Sequence, residues 1–222
     1  MTRAPTQSSL SFDPAGPGLA VLGDGIVLLP GFACGLADAL FAGIDRVSTS
    51  APFRRMRVPG GHTMSVAMTN CGQFGWVADE TGYRYSELDP QSGRAWPPMP
   101  TVFTSLAIRA AAAAGFAGFA PDACLINRYQ AGARLSLHRD NDEHDFDQPI
   151  VSVSLGSPAR FVIGGLRRQD PTSAILLGHG DVLIWGGPAR RIHHAAGAPR
   201  RRAGQTTLRL NLTFRFAGRK RL

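Results

Sequence analysis

Apolar and polar residues alternate most regularly near the C-terminal end of the chain, over residues 208–216. Five apolar residues share one side of this run and four polar residues share the other: Leu208, Leu210, Leu212, Phe214 and Phe216 against Arg209, Asn211, Thr213 and Arg215. Because successive side chains of a strand point to opposite faces, the run predicts a strand with one buried face. The polar face is either exposed to solvent, as on ordinary surface strands, or lines a site where two arginines would suit a small dicarboxylate.

Shorter apolar and alternating runs, separated by Gly and Pro, precede this strand from Cys124 onward. They predict further strands over residues 124–129, 150–155, 159–163, 174–177 and 181–185. Strands of this length and spacing are typical of a sandwich or jelly roll. Apolar residues at helical spacing predict a helix over 33–47, and Pro100, an alanine-rich run and Gly115 predict a second over 100–114. The chain is therefore expected to be mainly β with flanking helices.

Residues 51–98 differ from both regions because they are dense in Gly, Pro, aromatic and polar residues. We interpret this segment as short strands and loops that cover a site. Residues 1–18 are rich in Ser, Pro and Gly, and we expect them to form a flexible tail. The remainder, 19–222, is predicted to be a single domain with its core over 120–218.

Composition and charge narrow the class of protein. A chain of 222 residues, 44% of them hydrophobic, can bury a core without covalent staples. Its three cysteines, Cys34, Cys71 and Cys124, form no C-x-x-C pair, which argues against a disulfide framework or zinc knuckle and favours the cytoplasm. Neither a signal peptide nor a membrane span is recognisable. The net charge of +8 favours polyanionic partners, nucleic acid above all, although a generally basic surface would give the same balance.

A candidate metal site begins at His138, because its imidazole and the carboxylate of Asp140 lie two residues apart. On a strand these side chains point to the same side and can bind one ion together. A histidine from another strand, His193 or His194, would complete a set of two histidines and one carboxylate. Such a set, with open coordination positions, is typical of non-heme Fe(II) oxygenases. Strand alternation sends His193 and His194 to opposite faces, so only one of them can join the set.

A polar pair, Asn127 and Tyr129, lies within an otherwise apolar run. Their spacing places both side chains on one face of a strand, where they need buried polar partners. A ligand carboxylate would supply those partners. The alternative is a hydrogen-bonded pair in the core.

Three aromatic residues, Trp76, Tyr83 and Tyr85, lie among glycines in the 51–98 segment. They either stack on nucleic-acid bases or fill a small secondary core. Asp142 is either an ordinary loop carboxylate or a partner for a cationic, methylated base.

These residues belong to a longer pattern that resembles the AlkB family of Fe(II)- and 2-oxoglutarate-dependent dioxygenases. The resemblance covers nearly the whole chain beyond the N-terminal tail. Besides the residues named above, it rests on the segments 59–61, 64–72, 121–129, 151–156 and 179–181. The Arg-x-x-x-His spacing of the family, here Arg190 to His194, selects His194 rather than His193.

The resemblance implies a double-stranded β-helix (jelly-roll) core with an N-terminal nucleotide-recognition lid over 51–98. It implies that Fe(II) binds His138, Asp140 and His194. The residues implied for the cosubstrate 2-oxoglutarate are Asn127, Tyr129, Arg209, Asn211 and Arg215, and those implied for the substrate are Trp76, Tyr83, Tyr85, Asp142 and Arg168. His62 and Asn141 depart from the family pattern, which bears on substrate preference.

The implied activity is oxidative demethylation of 1-methyladenine and 3-methylcytosine in DNA, with single strands preferred and RNA as a further substrate. The reaction would consume O2, convert 2-oxoglutarate to succinate, release formaldehyde and so repair alkylation damage. We expect a monomer in the cytoplasm that does not bind membranes. Two alternatives remain: an oxygenase acting on tRNA, protein or a small metabolite, and a non-catalytic jelly-roll protein that binds nucleic acid through its basic surface.

Overall fold

The computed structural model of the chain describes residues 18–200 and 207–218. Apart from Gly18, the predicted N-terminal tail lies outside the described residues. The helices are α1 (Ala37–Ser50) and α2 (Thr101–Ala113). The strands are β1 (Ala20–Gly23), β2 (Ile26–Leu29), β3 (Ala67–Gly72), β4 (Gly75–Asp79), β5 (Gly82–Ser86), β6 (Ala123–Tyr129), β7 (Leu135–His138), β8 (Ile150–Gly156), β9 (Ala159–Ile163), β10 (Ser173–Leu177), β11 (Val182–Trp185), β12 (His194–Pro199) and β13 (Arg209–Arg215).

Two antiparallel sheets pack face to face and form a jelly-roll core. The larger has the order β1-β2-β11-β8-β13-β6-β3, and the smaller has the order β10-β9-β12-β7. Phe161 and Leu177 of the smaller sheet pack against Leu183 and Trp185 of the larger one. The expectation of a mainly β, jelly-roll fold is therefore confirmed.

The two helices cover the outer face of the larger sheet. Leu40 and Ile44 of α1 pack with Phe103 and Leu106 of α2 in the main core cluster. The helices approach closely at Gly43, where an added Cβ would lie 2.6 Å from the Phe103 ring. The first predicted helix is shifted, because residues 34–36 form a 3-10 turn before α1 begins. Neither described helix is long and apolar enough to cross a membrane.

The alternating strand β13 lies in the middle of the larger sheet, between β8 and β6. Its apolar side chains pack towards the helices, and its polar side chains face the interior between the sheets. Every residue of β13 is buried, and Arg209 is only 2% exposed. The solvent-exposed alternative for its polar face is therefore wrong.

The segment 51–98 contains both a sheet strand and two projecting hairpins. β3 pairs with β6 and extends the larger sheet. β4 and β5 form a separate two-stranded hairpin. A second hairpin leads from Arg54 to Met68, which form a backbone bridge, and it turns at Gly60, whose φ of 95° favours glycine. Trp96 of the same segment is buried.

Candidate active site

Three potential metal ligands converge where β7 meets β12. His138 ends β7, His194 begins β12, and the two residues pair across the strands. Asp140 Oδ1 lies 3.8 Å from His138 Nε2, and Asp140 Oδ2 lies 3.8 Å from His194 Nε2. One donor atom of each residue lies within 4.8 Å of the others. Two imidazoles and a carboxylate at this separation could bind one cation from one side.

Backbone carbonyl groups orient both imidazoles. Nδ1 of His138 lies 2.7 Å from the carbonyl oxygen of Ser136, and Nδ1 of His194 lies 3.3 Å from that of Ile192. Such contacts keep the proton on Nδ1 and leave Nε2 free to bind a metal. His193 instead places Nδ1 3.2 Å from a carbonyl group of the loop after β9. The structure therefore brings His194, and not His193, to the other two donors.

The charges around the three donors favour metal binding. Burial opposes ionisation of Asp140, but Arg215 and the two histidines hold the pKa of this carboxyl group well below its usual range. Arg215 Nη2 donates a hydrogen bond of 2.6 Å to Asp140 Oδ2. Burial also lowers the pKa of His194 to about 4, despite the nearby carboxylate. At neutral pH the site thus offers a carboxylate and a neutral imidazole, the forms that bind metals.

A cavity of about 490 Å³ opens above the donors. Its inner end contains Arg209, whose Nη2 donates a hydrogen bond of 2.9 Å to Ser154 Oγ. Nε and Nη1 of Arg209 are buried and have no hydrogen-bond partner among the described residues. The guanidinium carbon lies 5.1 Å from the ring centre of Tyr129. Because unpaired buried donors are costly, this end of the cavity fits an anionic ligand such as a carboxylate.

Two asparagines face each other beside Arg209, since Asn127 and Asn211 are paired in the β6–β13 register. Asn127 Nδ2 donates to Asn211 Oδ1 at 3.4 Å, and Thr213 Oγ1 donates to the same oxygen at 2.9 Å. Asn211 Nδ2 donates to Ser152 Oγ at 2.8 Å. These contacts fix a polar wall of the cavity between Arg209 and the three potential metal ligands.

The outer wall of the cavity comes from the β4–β5 hairpin. The Trp76 ring stacks on Tyr83 with centroids 5.7 Å apart, and Trp76 Nε1 donates a hydrogen bond of 2.7 Å to Asp142 Oδ2. The side chain of Asn70 fixes the backbone of Trp76 through two hydrogen bonds of 3.0 Å. An aromatic face and a carboxylate are therefore held together above the metal donors.

A buried charge network joins this hairpin to the metal donors. Glu143 accepts a hydrogen bond of 2.8 Å from the Tyr85 hydroxyl group. Its carboxylate also lies 3.1 Å from Arg215 Nε and 3.2 Å from Arg190 Nη2, although neither contact is aligned well enough to count as a hydrogen bond. Arg215 in turn contacts Asp140. Glu143 thus connects the hairpin to the arginine that neutralises Asp140.

Arg168 is the predicted substrate residue that does not line the cavity. Its side chain is exposed on the outside, and Nη1 donates a hydrogen bond of 2.7 Å to the backbone oxygen of Leu137. In the structure it contacts the strand that carries His138.

Comparisons with known proteins agree with this geometry. Residues 25–215 match the model of the 2OG-Fe(II) oxygenase superfamily. Over 213 residues the chain is 53% identical to the alpha-ketoglutarate-dependent dioxygenase AlkB of Escherichia coli (strain K12), covering 94% of this chain and 98% of that protein. The chain belongs to the AlkB family. It is therefore a 2-oxoglutarate-dependent dioxygenase that uses Fe(II) and O2, which rules out the alternative of a non-catalytic binding protein.

More distant members of the AlkB family share parts of the chain or its fold. The nucleic acid dioxygenase ALKBH1 of Mus musculus is 33% identical over 121 residues, which cover 54% of this chain and 31% of that protein. The solved structure of OsALKBH1 superposes with a TM-score of 0.76 at 29% identity, covering 89% of this chain and 99% of that one. The expected fold and family are thus confirmed together.

Two features of this AlkB-family site were not predicted from the sequence. Glu143 is one of five acidic residues in the run 140–147, and no spacing rule distinguishes it from the others. Trp185 is buried in β11, and its ring lies 5.1 Å from the ring of His194 and borders the cavity. An apolar strand residue gives no sequence signal for such a position.

Proposed function

We propose that this dioxygenase demethylates alkylated nucleic-acid bases, with 1-methyladenine and 3-methylcytosine in DNA as its main substrates. The observation that carries the proposal is the pairing of Trp76 with Asp142 above the metal donors. Both lesions carry a positive charge, and an aromatic face and a carboxylate each attract a cation. A relative supports nucleic acid as the substrate class, since ALKBH1 of Mus musculus is named a nucleic acid dioxygenase.

We infer the roles of the two ends of the cavity from the side chains that line them. His138, Asp140 and His194 would hold Fe(II), which together with 2-oxoglutarate and O2 supplies the oxidising power for hydroxylating the methyl group. The free Nε and Nη1 donors of Arg209 would bind the distal carboxylate of 2-oxoglutarate, with Tyr129 beside it. The unpaired donors of Arg209 support the carboxylate position, and the convergence of His138, Asp140 and His194 supports the metal position.

The remaining cosubstrate residues would act nearer the metal. Asn127 and Asn211 line the wall between the two ends, and Arg215 holds Asp140 in its ionised form. By fixing the Asp140 carboxylate, Arg215 would keep this ligand oriented before the metal binds.

The target base must leave its stack to reach this enclosed site. Unstacking costs a few kcal/mol, and the cost is smallest for a damaged or single-stranded base. Trp76 would stack on the extruded ring, at about 1–3 kcal/mol for a base–aromatic contact, and Tyr83 would support Trp76 from the other side. Hydroxylation of the N-methyl group yields an unstable N-hydroxymethyl base, which releases formaldehyde and restores the base.

Strand preference, oligomeric state and cellular location are also part of this proposal. Because unpaired bases are cheaper to extrude, we propose a preference for single-stranded DNA, with RNA as a further substrate. We also propose that the enzyme acts as a monomer in the cytoplasm. Sedimentation of the purified protein tests the oligomeric state, and fractionation of cells tests the location.

The decisive experiment incubates the enzyme with Fe(II), ascorbate, 2-oxoglutarate and matched oligonucleotides. The oligonucleotides carry 1-methyladenine, 3-methylcytosine or no lesion, in single-stranded DNA, duplex DNA and RNA. Mass spectrometry should detect loss of one methylene unit per lesion, together with succinate and formaldehyde. A methylated peptide and a tRNA are tested in parallel as alternative substrates. Turnover of either one without turnover of methylated DNA would reject the proposal.

A further inference from the structure

A second cleft, of about 460 Å³, lies beside the active-site cavity. We call it the side cleft, and its lining residues are Arg139, Phe146, Asp147, Leu166, Gly187, Pro188, Arg190 and Arg191. Arg139, which stands between His138 and Asp140 in the chain, lines both spaces. The side cleft and the active-site cavity therefore meet at one arginine.

Two of the three arginines in the side cleft are available to a ligand. The guanidinium group of Arg190 already has partners, because it contacts Glu143 and donates a hydrogen bond to the backbone oxygen of Gln148. Arg191 is exposed, and its Nε makes a long hydrogen bond of 3.4 Å to Asn141. Within residues 18–200 and 207–218, Arg139 makes no hydrogen bond or ion pair.

Apolar side chains accompany these cations. Phe146 contacts both Arg190 and Arg191, whose guanidinium carbons are 5.3 Å and 5.1 Å from its ring centre. Leu166 is 55% exposed at the edge of the cleft. Asp147 also lines the cleft and offsets one positive charge. Because Arg139 and Arg191 together carry two, the cleft keeps a net positive charge. Cations next to apolar surfaces match a ligand that alternates phosphates with sugars and bases.

We propose that the side cleft binds the phosphodiester backbone of the lesion-bearing strand, next to the nucleotide that enters the active-site cavity. The inference rests on the proposed function, because it assumes that a nucleic-acid base occupies that cavity. Since the two spaces share Arg139, a strand that leaves the mouth of the cavity runs directly onto Arg139 and Arg191. Phe146 and Leu166 pack against its sugars and bases.

The first test measures binding without turnover. Fluorescence anisotropy of a labelled single-stranded oligodeoxythymidylate is recorded over a series of salt concentrations for native enzyme, Arg191→Ala, Arg139→Ala and Arg46→Ala. Arg46 is exposed on α1, in the helical layer outside the larger sheet, so Arg46→Ala matches the loss of charge away from the cleft. For each cleft variant we expect about three- to tenfold weaker binding and a salt slope reduced by about 0.7, the value for one lost phosphate contact on a single strand.

The second test separates strand binding from chemistry. Arg191→Ala should raise KM for a methylated oligonucleotide, leave kcat unchanged and have no effect on a methylated mononucleotide, which has no flanking phosphodiester. Cleft variants with the same affinity and salt slope as Arg46→Ala would overturn the inference. Loss of affinity for duplex DNA alone would also overturn it and assign the cleft to the complementary strand. If strand binding responds as expected but no methylated base is repaired, the proposed function fails while binding in the cleft stands.

Discussion

At the scale of single residues, the active site contains one compensated group of charges and one uncompensated charge. Two acids and two bases contact one another in a chain that is largely buried and runs from Arg190 through Glu143 and Arg215 to Asp140. Arg209 lies apart from them with two unpaired donors. Because a buried charge is costly without a partner, the first group should matter for folding and the second for ligand binding.

Glu143→Gln tests the compensated group, because it keeps the shape of the side chain and removes its charge. Asp140 would then be the remaining acid for two buried positive charges, those of Arg190 and Arg215. Breaking a buried ion pair costs about 3–5 kcal/mol. We expect the free energy of unfolding, measured by urea denaturation, to fall by that amount or slightly less. Glu80→Gln is the control, because Glu80 is exposed and its pair with Arg57 at 3.7 Å should be worth about 0–1 kcal/mol. Equal effects of the two substitutions would contradict the network.

Arg209→Ala tests the uncompensated charge. Each hydrogen bond to a charged group contributes about 1.5–3 kcal/mol, so loss of two should raise the 2-oxoglutarate concentration needed for half-saturation on the order of a hundredfold or more. Arg209→Lys keeps the charge but not the planar fork and should lie between native enzyme and Arg209→Ala. Succinate formation against 2-oxoglutarate concentration measures both, and unchanged saturation would remove Arg209 from the cosubstrate site.

Sequence alone predicted some of these residues and not others, for physical reasons. His138 and Asp140 could be predicted to act together because strand alternation places them on one side. The choice of His194 over His193 needed the family spacing, and the structure agrees with it. Glu143 could not be predicted, because its partners come from a hairpin, a loop and β13, which only the tertiary fold brings together.

At the scale of elements, β13 is the strand that organises the site. Its alternation predicted one buried face, and the second face is buried as well because the smaller sheet covers it. The pattern therefore fixed which residues share a side but not what covers that side. Pairing between β3 and β6 could not be predicted either, since β3 lies in the glycine-rich segment that otherwise forms the projecting hairpins.

The contact between α1 and α2 can be tested at Gly43. A Cβ at this position would lie 2.6 Å from the buried Phe103 ring, and overpacking costs about 1–3 kcal/mol. The higher helix propensity of alanine offsets only about 1 kcal/mol of this overpacking cost. Gly43→Ala should therefore lower the free energy of unfolding by about 1 kcal/mol. Gly35→Ala is the matched control, because nothing lies within 4 Å of its added Cβ. It should be neutral or slightly stabilising, and a stabilised Gly43→Ala would contradict the close approach.

At the scale of the whole molecule, the net charge of the chain indicates what kind of partner binds, and the fold indicates where it binds. The net charge of +8 indicated a polyanionic partner but not where it binds. The fold places the three potential metal ligands in a cavity that the β4–β5 hairpin lines, and Arg139 joins this cavity to the side cleft. Composition could not predict this arrangement, because the neighbouring elements lie far apart along the chain.

The same arrangement predicts how ligands change the stability of the whole molecule. A ligand that binds only the folded chain stabilises it by about 2.7 kcal/mol at a concentration 100 times its Kd, which for a chain of this size raises Tm by about 5–10 °C. We expect such a rise with Mn(II), a redox-inactive substitute for iron, and a further rise when 2-oxoglutarate is added. In a thermal shift assay His138→Ala should lose both increments, whereas Arg209→Ala should keep the first and lose most of the second. An equal rise for native enzyme and His138→Ala would show that the metal binds elsewhere, since only a ligand from the site itself can make the response depend on that imidazole.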